Sequence, residues 1–155
     1  MSAGGIAQTV TAGGVTDRRL KTAVLVLALL GVGIAGYLTY VHYSGAAPVC
    51  SISHGCEKVQ RSEWSKLAGV PVAVLGLIGY VALLGSLLVP GENGLLAGAA
   101  IALVGFGFSA YLTYRELFSI HAICQWCVAS AILMTLLAIV TVWRLLRPPE
   151  VRYPT

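Results

Sequence analysis

Charge is scarce in this sequence of 155 residues: Asp, Glu, Lys and Arg make up 10% of it, while hydrophobic residues make up 57%. A soluble domain carries about 25% charged residues. The shortage, with a mean hydropathy of +0.85, excludes an ordinary soluble domain and points to the bilayer. Basic clusters on an aromatic-rich face are also absent, so the net charge of +4 implies no nucleic-acid partner. The basic residues instead flank long apolar runs, as topology signals do.

Those runs appear as windows free of Asp, Glu, Lys and Arg. They lie between Lys21 and His42, Lys66 and Glu92, Glu92 and Arg115, and Glu116 and Arg144. Each is long enough to cross a hydrocarbon core of about 30 Å, and in lipid such segments satisfy their backbone as helices. The expected fold is therefore all-α: a polytopic membrane protein with a four-transmembrane-helix bundle. Its helices are expected near 20–42, 68–89, 94–115 and 122–146, with a long exoplasmic loop capping the outer face. Residues 1–16, rich in Gly, Ala and Thr, read as a disordered tail, 17–147 as the membrane domain, and 148–155 as a short cytoplasmic tail. The alternative for the first window, a cleaved signal peptide, fits less well, because its apolar run exceeds the 7–15 residues of a signal core. Arg18, Arg19 and Lys21 at one end of the chain and Arg144, Arg147 and Arg152 at the other favour cytoplasmic termini in a plasma (inner) membrane. All four cysteines, Cys50, Cys56, Cys124 and Cys127, then face the compartment where disulfides persist.

The sequence partly repeats itself. Tyr37-Leu38-Thr39-Tyr40 returns as Tyr111-Leu112-Thr113-Tyr114, and at the same offset of 74 Cys50 returns as Cys124, Gly31 as Gly105 and Gly33 as Gly107. The shared cysteine offset favours a parallel repeat over chance placement of interfacial tyrosines. The glycines, with Ala35 and Gly36, are expected to mark close helix packing.

The sharpest motif is Cys124-Gln125-Trp126-Cys127 at the start of the fourth helix. Its spacing places both sulfurs on one helical face. A helix N-terminus stabilises a thiolate, so the thiol pKa is expected to fall. Cys127, one turn deeper, is the sulfur placed to meet a lipid-soluble redox partner. Cys50 and Cys56 lie in a Ser-, His- and Gly-containing loop, suited to carrying a thiol between an external protein and an inner disulfide. Static disulfides, or zinc held by the four cysteines, are the bland alternatives. The loop spacing suits a zinc knuckle poorly, and no metal is expected. Residues 57–66 read as a short surface helix over the bundle opening, with Trp64 as interfacial anchor, or else as a solvated loop. His121 reads as an interfacial structural residue more than as an aid to thiolate formation.

Taken together, these residues resemble the vitamin K epoxide reductase family, in particular its bacterial quinone-linked members. The resemblance spans roughly Lys21 to Leu146. It rests on the Cys50/Cys56 pair, Ser62, Trp64, Gly69-Val70-Pro71, the YLTY segments and CQWC. It implies a quinone (menaquinone or ubiquinone) held among the helices, with Cys127 and Trp126 beside it. It also implies a path from a thioredoxin-like partner to Cys50, through a Cys56–Cys124 mixed disulfide, to Cys127 and the quinone. Ser62 is implied to tune the inner pair by hydrogen bonding. The chain stops at Thr155, so the partner is expected to be a separate protein. Past Cys127 the run is Ser130-Ala131-Ile132, where vertebrate members resemble Thr-Tyr-Ala, and the second helix has no polar amide near Gly85-Ser86. Both departures suit quinone reduction coupled to disulfide formation. The alternatives are a quinone or vitamin K epoxide reductase with a metabolic role, and a non-catalytic scaffold with structural or zinc-bound cysteines.

Overall fold

Apolar, charge-free segments that cannot leave backbone groups unpaired in lipid fold as helices, and helices build nearly all of this protein. A computed structural model describes residues 3–52 and 54–147. The order is α1 (Ala3–Ser44), α2 (Cys56–Arg61), a 3₁₀ turn (Glu63–Ser65), a hairpin of β1 (Lys66–Leu67) and β2 (Val70–Pro71), α3 (Val72–Ser86), α4 (Gly91–Arg115), a π turn (Glu116–Ile120) and α5 (Gln125–Leu146). Among the described residues, three helical stretches are long and apolar enough to cross a membrane: Val15–Ser44, Gly91–Ile120 and Gln125–Leu146. Val72–Ser86 is a shorter apolar helix. The protein is an integral membrane protein.

Two boundaries differ from expectation. Helix α1 extends back to Ala3, so residues 3–16 are helical where composition suggested a disordered tail. Once a long helix is nucleated, each added residue gains a hydrogen bond at small cost, and this stretch contains no proline to stop it. Residues 1–2 and the tail expected at 148–155 lie outside the described residues. The second apolar helix begins at Val72, not near 68, because the preceding residues form the hairpin, with Lys66 opposite Pro71 and Leu67 opposite Val70. Its two-residue turn has positive φ at Ala68 (52°) and Gly69 (84°), the geometry that matches strand twist.

Helix α1 packs on α3 and α5, and α4 packs on the same two. The core between them holds Val24, Ala28, Tyr80, Leu83, Ala102 and Leu137, while residues such as Leu29, Ile78, Leu103 and Ile139 point outward, as lipid contact requires. The repeat is visible in the packing. A Cβ on Gly31 of α1 would collide with the Tyr80 ring of α3, and one on Gly105 of α4 would lie 2.7 Å from Met134 Sδ of α5. In each half the first helix takes a large side chain from the second at the same repeat position. Gly33, Gly36 and Gly107 have nothing within 4 Å of a built Cβ, so the packing role expected of them is carried by Gly31 and Gly105. At the bundle end away from the cysteines, Arg144 Nε of α5 meets Asp17 Oδ1 of α1 at 3.3 Å, tying the first and last helices together.

Candidate functional site

The four cysteines converge at one end of the bundle. Cys50 and Cys56 form a disulfide with Cα atoms 6.2 Å apart, and Cys124 and Cys127 are free thiols. Cys56, Val59, Ile120 and Cys124 form one buried cluster, against which Cys50 and Cys127 pack. The outer pair is thus oxidised and the inner pair reduced. With Cys50 and Cys56 bonded to each other, two of the sulfurs a zinc site would need are unavailable as thiolates in this state.

Local geometry sets the inner pair. Cys124 is the N-cap of α5, and its Sγ accepts the Cys127 backbone N–H at 3.3 Å, satisfying one of the donors left open at a helix start. The side-chain hydrogen bond from Cys127 holds the Cys124 thiol pKa below the ordinary thiol range. Burial opposes this, the Cys127 backbone N–H adds to it, and the nearby Glu116 charge works against it. The direction matches the thiolate expected at this helix start. Gln60 Nε2 of α2 lies 3.7 Å from Cys127 Sγ, as a donor to that sulfur.

Below the inner pair lies a cavity of about 530 Å³, within the range of small-molecule sites. Ala35 and Leu38 of α1, Gly76 of α3, Val104 and Phe108 of α4 and Met134 of α5 are among its apolar lining. Of the four cysteines, Cys127 lines it, beside Gln60, Ser62, Tyr80, Glu116 and Ser130. Such a wall of aliphatic and aromatic carbon with a few polar groups at one end suits a lipid-soluble ring with carbonyl oxygens.

Other predicted residues sit differently. Ser62 lines the cavity, but its hydroxyl donates to the Val59 carbonyl at 2.7 Å, so it closes the end of α2 rather than bonding a cysteine. Trp126 is outside the cavity lining. Its Nε1–H donates to Val49 O at 2.8 Å, and its ring lies 5.1 Å from that of Tyr37. Its neighbour Gln125 accepts the Ile52 N–H at 2.9 Å, and Tyr37 Oη accepts the Val49 N–H at 3.0 Å. The two residues between the inner cysteines therefore clamp the loop that carries Cys50. Trp64 packs under Arg115, whose guanidinium lies 3.9 Å from its ring centre, a cation–π contact. Leu67, Trp64, Ser65 and Ser62 wall the cavity from the loop side, so segment 57–66 does cover the opening, as a helix, a 3₁₀ turn and a strand end rather than one surface helix.

Several residues escaped the sequence reading. Tyr80 is fully buried, and its hydroxyl bonds both the Ser130 carbonyl (3.0 Å) and the Ser130 hydroxyl (2.8 Å). The cavity is therefore not without a phenol, although the one expected after Cys127 is missing. Glu116 is 5% exposed, and its Oε2 accepts the Cys124 backbone N–H at 3.2 Å. A signal for it existed, since an acidic residue stood at the end of an apolar run, but Arg115 beside it made the pair look like interface charge.

Gly55 marks how tightly the loop is seated. A Cβ there would lie 2.7 Å from Ile123 O and 2.8 Å from Ile123 N. Its backbone is ordinary right-handed helix (φ −91°), so the constraint is steric. Gly55→Ala should lift Cys56 off the segment leading to Cys124 and slow thiol exchange between the pairs on the order of 10- to 100-fold, the usual cost of misplacing reacting atoms. Rapid-quench trapping of the disulfides would measure it, and an unchanged rate would mean the loop reaches Cys124 without this contact.

The model of the Vitamin K epoxide reductase family matches residues 22–142 of this chain, which takes in the four cysteines, the loop and most of every apolar helix.

Proposed function

Since this chain belongs to the vitamin K epoxide reductase family, and is a membrane quinone-dependent oxidoreductase, we propose that it forms disulfides outside the cytoplasm. On this reading it oxidises a thioredoxin-like protein, supplied as a separate chain, and passes the electrons to menaquinone or ubiquinone. The bundle crosses the membrane four times, with α3 and its flanking turns as the second crossing, the termini cytoplasmic and the cysteines exoplasmic. The partner's dithiol reduces the Cys50–Cys56 disulfide at Cys50, the half-exposed member of a pair whose other member is fully buried. Cys56 then exchanges with Cys124 inside the buried cluster, and Cys127 faces the acceptor. Quinone bound in the cavity supplies the oxidising power, taking two electrons per disulfide. The apolar lining holds its ring, and Gln60 keeps a donor on Cys127 Sγ. Ser62 ends α2 so that Trp64 and Leu67 close the cavity from water.

The observation that carries this reading is the position of Cys127: one helical turn from a thiol packed with the outer pair, and in the wall of an apolar cavity. The test has two arms. In intact cells, a membrane-impermeant maleimide applied after gentle reduction should label Cys50. In purified, lipid-reconstituted protein under anaerobic conditions, quinone should be consumed in step with a dithiol. Labelling only after the membrane is opened would defeat the orientation, and dithiol oxidation without quinone consumption would defeat the chemistry. One observation favours a second reading, a reductase acting on quinone or its epoxide for metabolism: the Tyr80 phenol at Ser130 could meet a substrate oxygen. Offering the epoxide to the same preparation decides between them.

A further inference from the structure

The end of α4 is built around one carboxyl group. The backbone carbonyl of Glu116 accepts N–H groups from both His121 and Ala122, making a π turn, a distortion that recurs at functional sites. His121 then takes a left-handed conformation (φ 55°) and sends the chain back along the turn. As a result Cys124 N–H points at Glu116 Oε2, 3.2 Å away, and Cys127, one turn further along α5, lines the same cavity as Glu116. Glu116 is buried and lines the cavity. A cap for Cys124 N–H could be any neutral acceptor, and a carboxylate in apolar surroundings carries a burial cost that a neutral group avoids. What a carboxylate adds is the capacity to take a proton.

The groups facing it leave that capacity free. From α5 it meets Cys124 and Cys127. From α3 the cavity receives Tyr80, whose hydroxyl is engaged with Ser130. From its own helix the nearest cation is Arg115, drawn to the rings of Trp64 (3.9 Å) and Tyr111 (5.2 Å). Helix α2 turns neutral Gln60 toward the cavity, while its Glu57, Lys58 and Arg61 are exposed.

A thiol becomes a competent electron donor once it has lost its proton, and Cys127 sits where bulk water is a poor acceptor. We propose that Glu116 is a catalytic residue that accepts the proton of Cys127 Sγ as the inner pair is oxidised. The proton passes from sulfur to a Glu116 carboxylate oxygen, giving a thiolate and a carboxylic acid. Formation of the Cys124–Cys127 bond removes two electrons, taken by the quinone, and two protons. One of these resides on Glu116 and is released into the cavity, and the other leaves Cys124, whose thiol pKa the hydrogen bond from Cys127 lowers. Gln60 Nε2 steadies the Cys127 thiolate while it exists.

The inference rests on the reading of Cys127 as the sulfur facing the quinone, and its test separates the two. Glu116→Gln keeps an oxygen for Cys124 N–H but cannot take the proton. It should lower the single-turnover rate of inner-pair oxidation about 10²- to 10⁴-fold, the usual contribution of a positioned base, and remove the acidic limb of the pH–rate profile. Glu116→Asp should recover part of the rate and restore that limb. A readout independent of quinone is the time-resolved infrared difference spectrum of wild-type protein at constant pH, while a small disulfide oxidant closes the reduced inner pair. A carboxylic-acid carbonyl band should grow as Cys127 loses its S–H band, and Glu116→Gln should lack it. Glu116→Gln at wild-type rate with its acidic limb intact overturns the inference, as does a wild-type spectrum with no carboxyl change, even if the variant does not fold. If Cys127→Ala still turns over, the underlying reading has failed instead.

Discussion

Cys127→Ala should abolish quinone reduction by every electron donor, protein or small dithiol, with a loss of at least about 10³-fold, as removal of an essential reacting group generally produces. The size follows from the absence of a substitute. Cys124 is completely buried and is not part of the cavity wall, and Cys50 and Cys56 lie on the loop side of the same cluster. A one-turn displacement along α5 separates Cys124 from Cys127, about 5 Å, too far for a buried sulfur to take over contact with a bound ring. The substitution itself is mild, since Cys127 is only partly buried and is not a member of the helical core. Its side chain gives up the hydrogen bond from Gln60. Loss of activity without a matching loss of thermal stability therefore separates chemistry from folding. The variant should also leave a signature. With no resolving partner, the Cys124 thiolate can attack the outer disulfide at Cys56, with which it shares a buried cluster, and release Cys50 as a thiol. A Cys56–Cys124 bridge should accumulate and be found by peptide mapping under non-reducing conditions. Residual turnover above a few per cent, or a bridge between other cysteines, would remove Cys127 from its place on the path.

How much of this site could be read in advance depended on whether the signal was local. The apolar windows, the outer loop and CQWC at the start of the last long helix are local patterns of charge, length and spacing, and they correspond to α1, α3, α4, the capping segment and α5. The shortened α3 was harder, because Ala68-Gly69 forms a hairpin turn only once Lys66–Leu67 and Val70–Pro71 pair. The residues that surround the sulfurs came from long-range geometry. Glu116 reaches Cys124 because a π turn and a left-handed His121 intervene, and neither has a sequence pattern distinct from an ordinary helix end. Gln60 reaches Cys127 across 67 positions of chain, and nothing in a mixed polar loop distinguished it from Lys58 or Arg61. Trp126 sat inside the right motif, yet it turned to the loop, because its indole N–H required an acceptor and Val49 O offered one. The glycine stripe shows the same division: composition marked five glycines and Ala35, and only the neighbouring helix decided that Gly31 and Gly105 are the ones under pressure.

Cys50→Ala should separate the two classes of donor. Turnover with a thioredoxin-like protein should fall by about a hundredfold or more, as expected when the group that receives the substrate is removed. Reduction driven by a small dithiol should stay within about threefold of wild type, a change of under ~1 kcal/mol. The argument begins with access. A folded protein presents its thiolate at its own surface and must find a sulfur it can approach in line. Cys56 is fully buried, whereas Cys50 is partly exposed. A small dithiol needs no protein docking and can approach the cysteine cluster at the partly exposed position 50. The competing explanation is that Cys50–Cys56 is a staple and that its loss loosens the cap. Closing so short a loop stabilises a chain by about 2 kcal/mol in the chain-entropy account. The cap, however, has other attachments: Val49 N–H to Tyr37, Ile52 N–H to Gln125 and Trp126 N–H to Val49 O. Three such bonds, at about 1 kcal/mol each, are comparable to the staple, so the loop should remain seated without it. A loosened cap would open the cavity and impair both donors alike, whereas a missing receiver impairs one. The ratio of kcat/KM for the two donors is therefore the decisive quantity, since a general loss of stability cancels from it. A ratio unchanged from wild type would make the outer disulfide a structural tie and leave the inner pair to meet its donors directly.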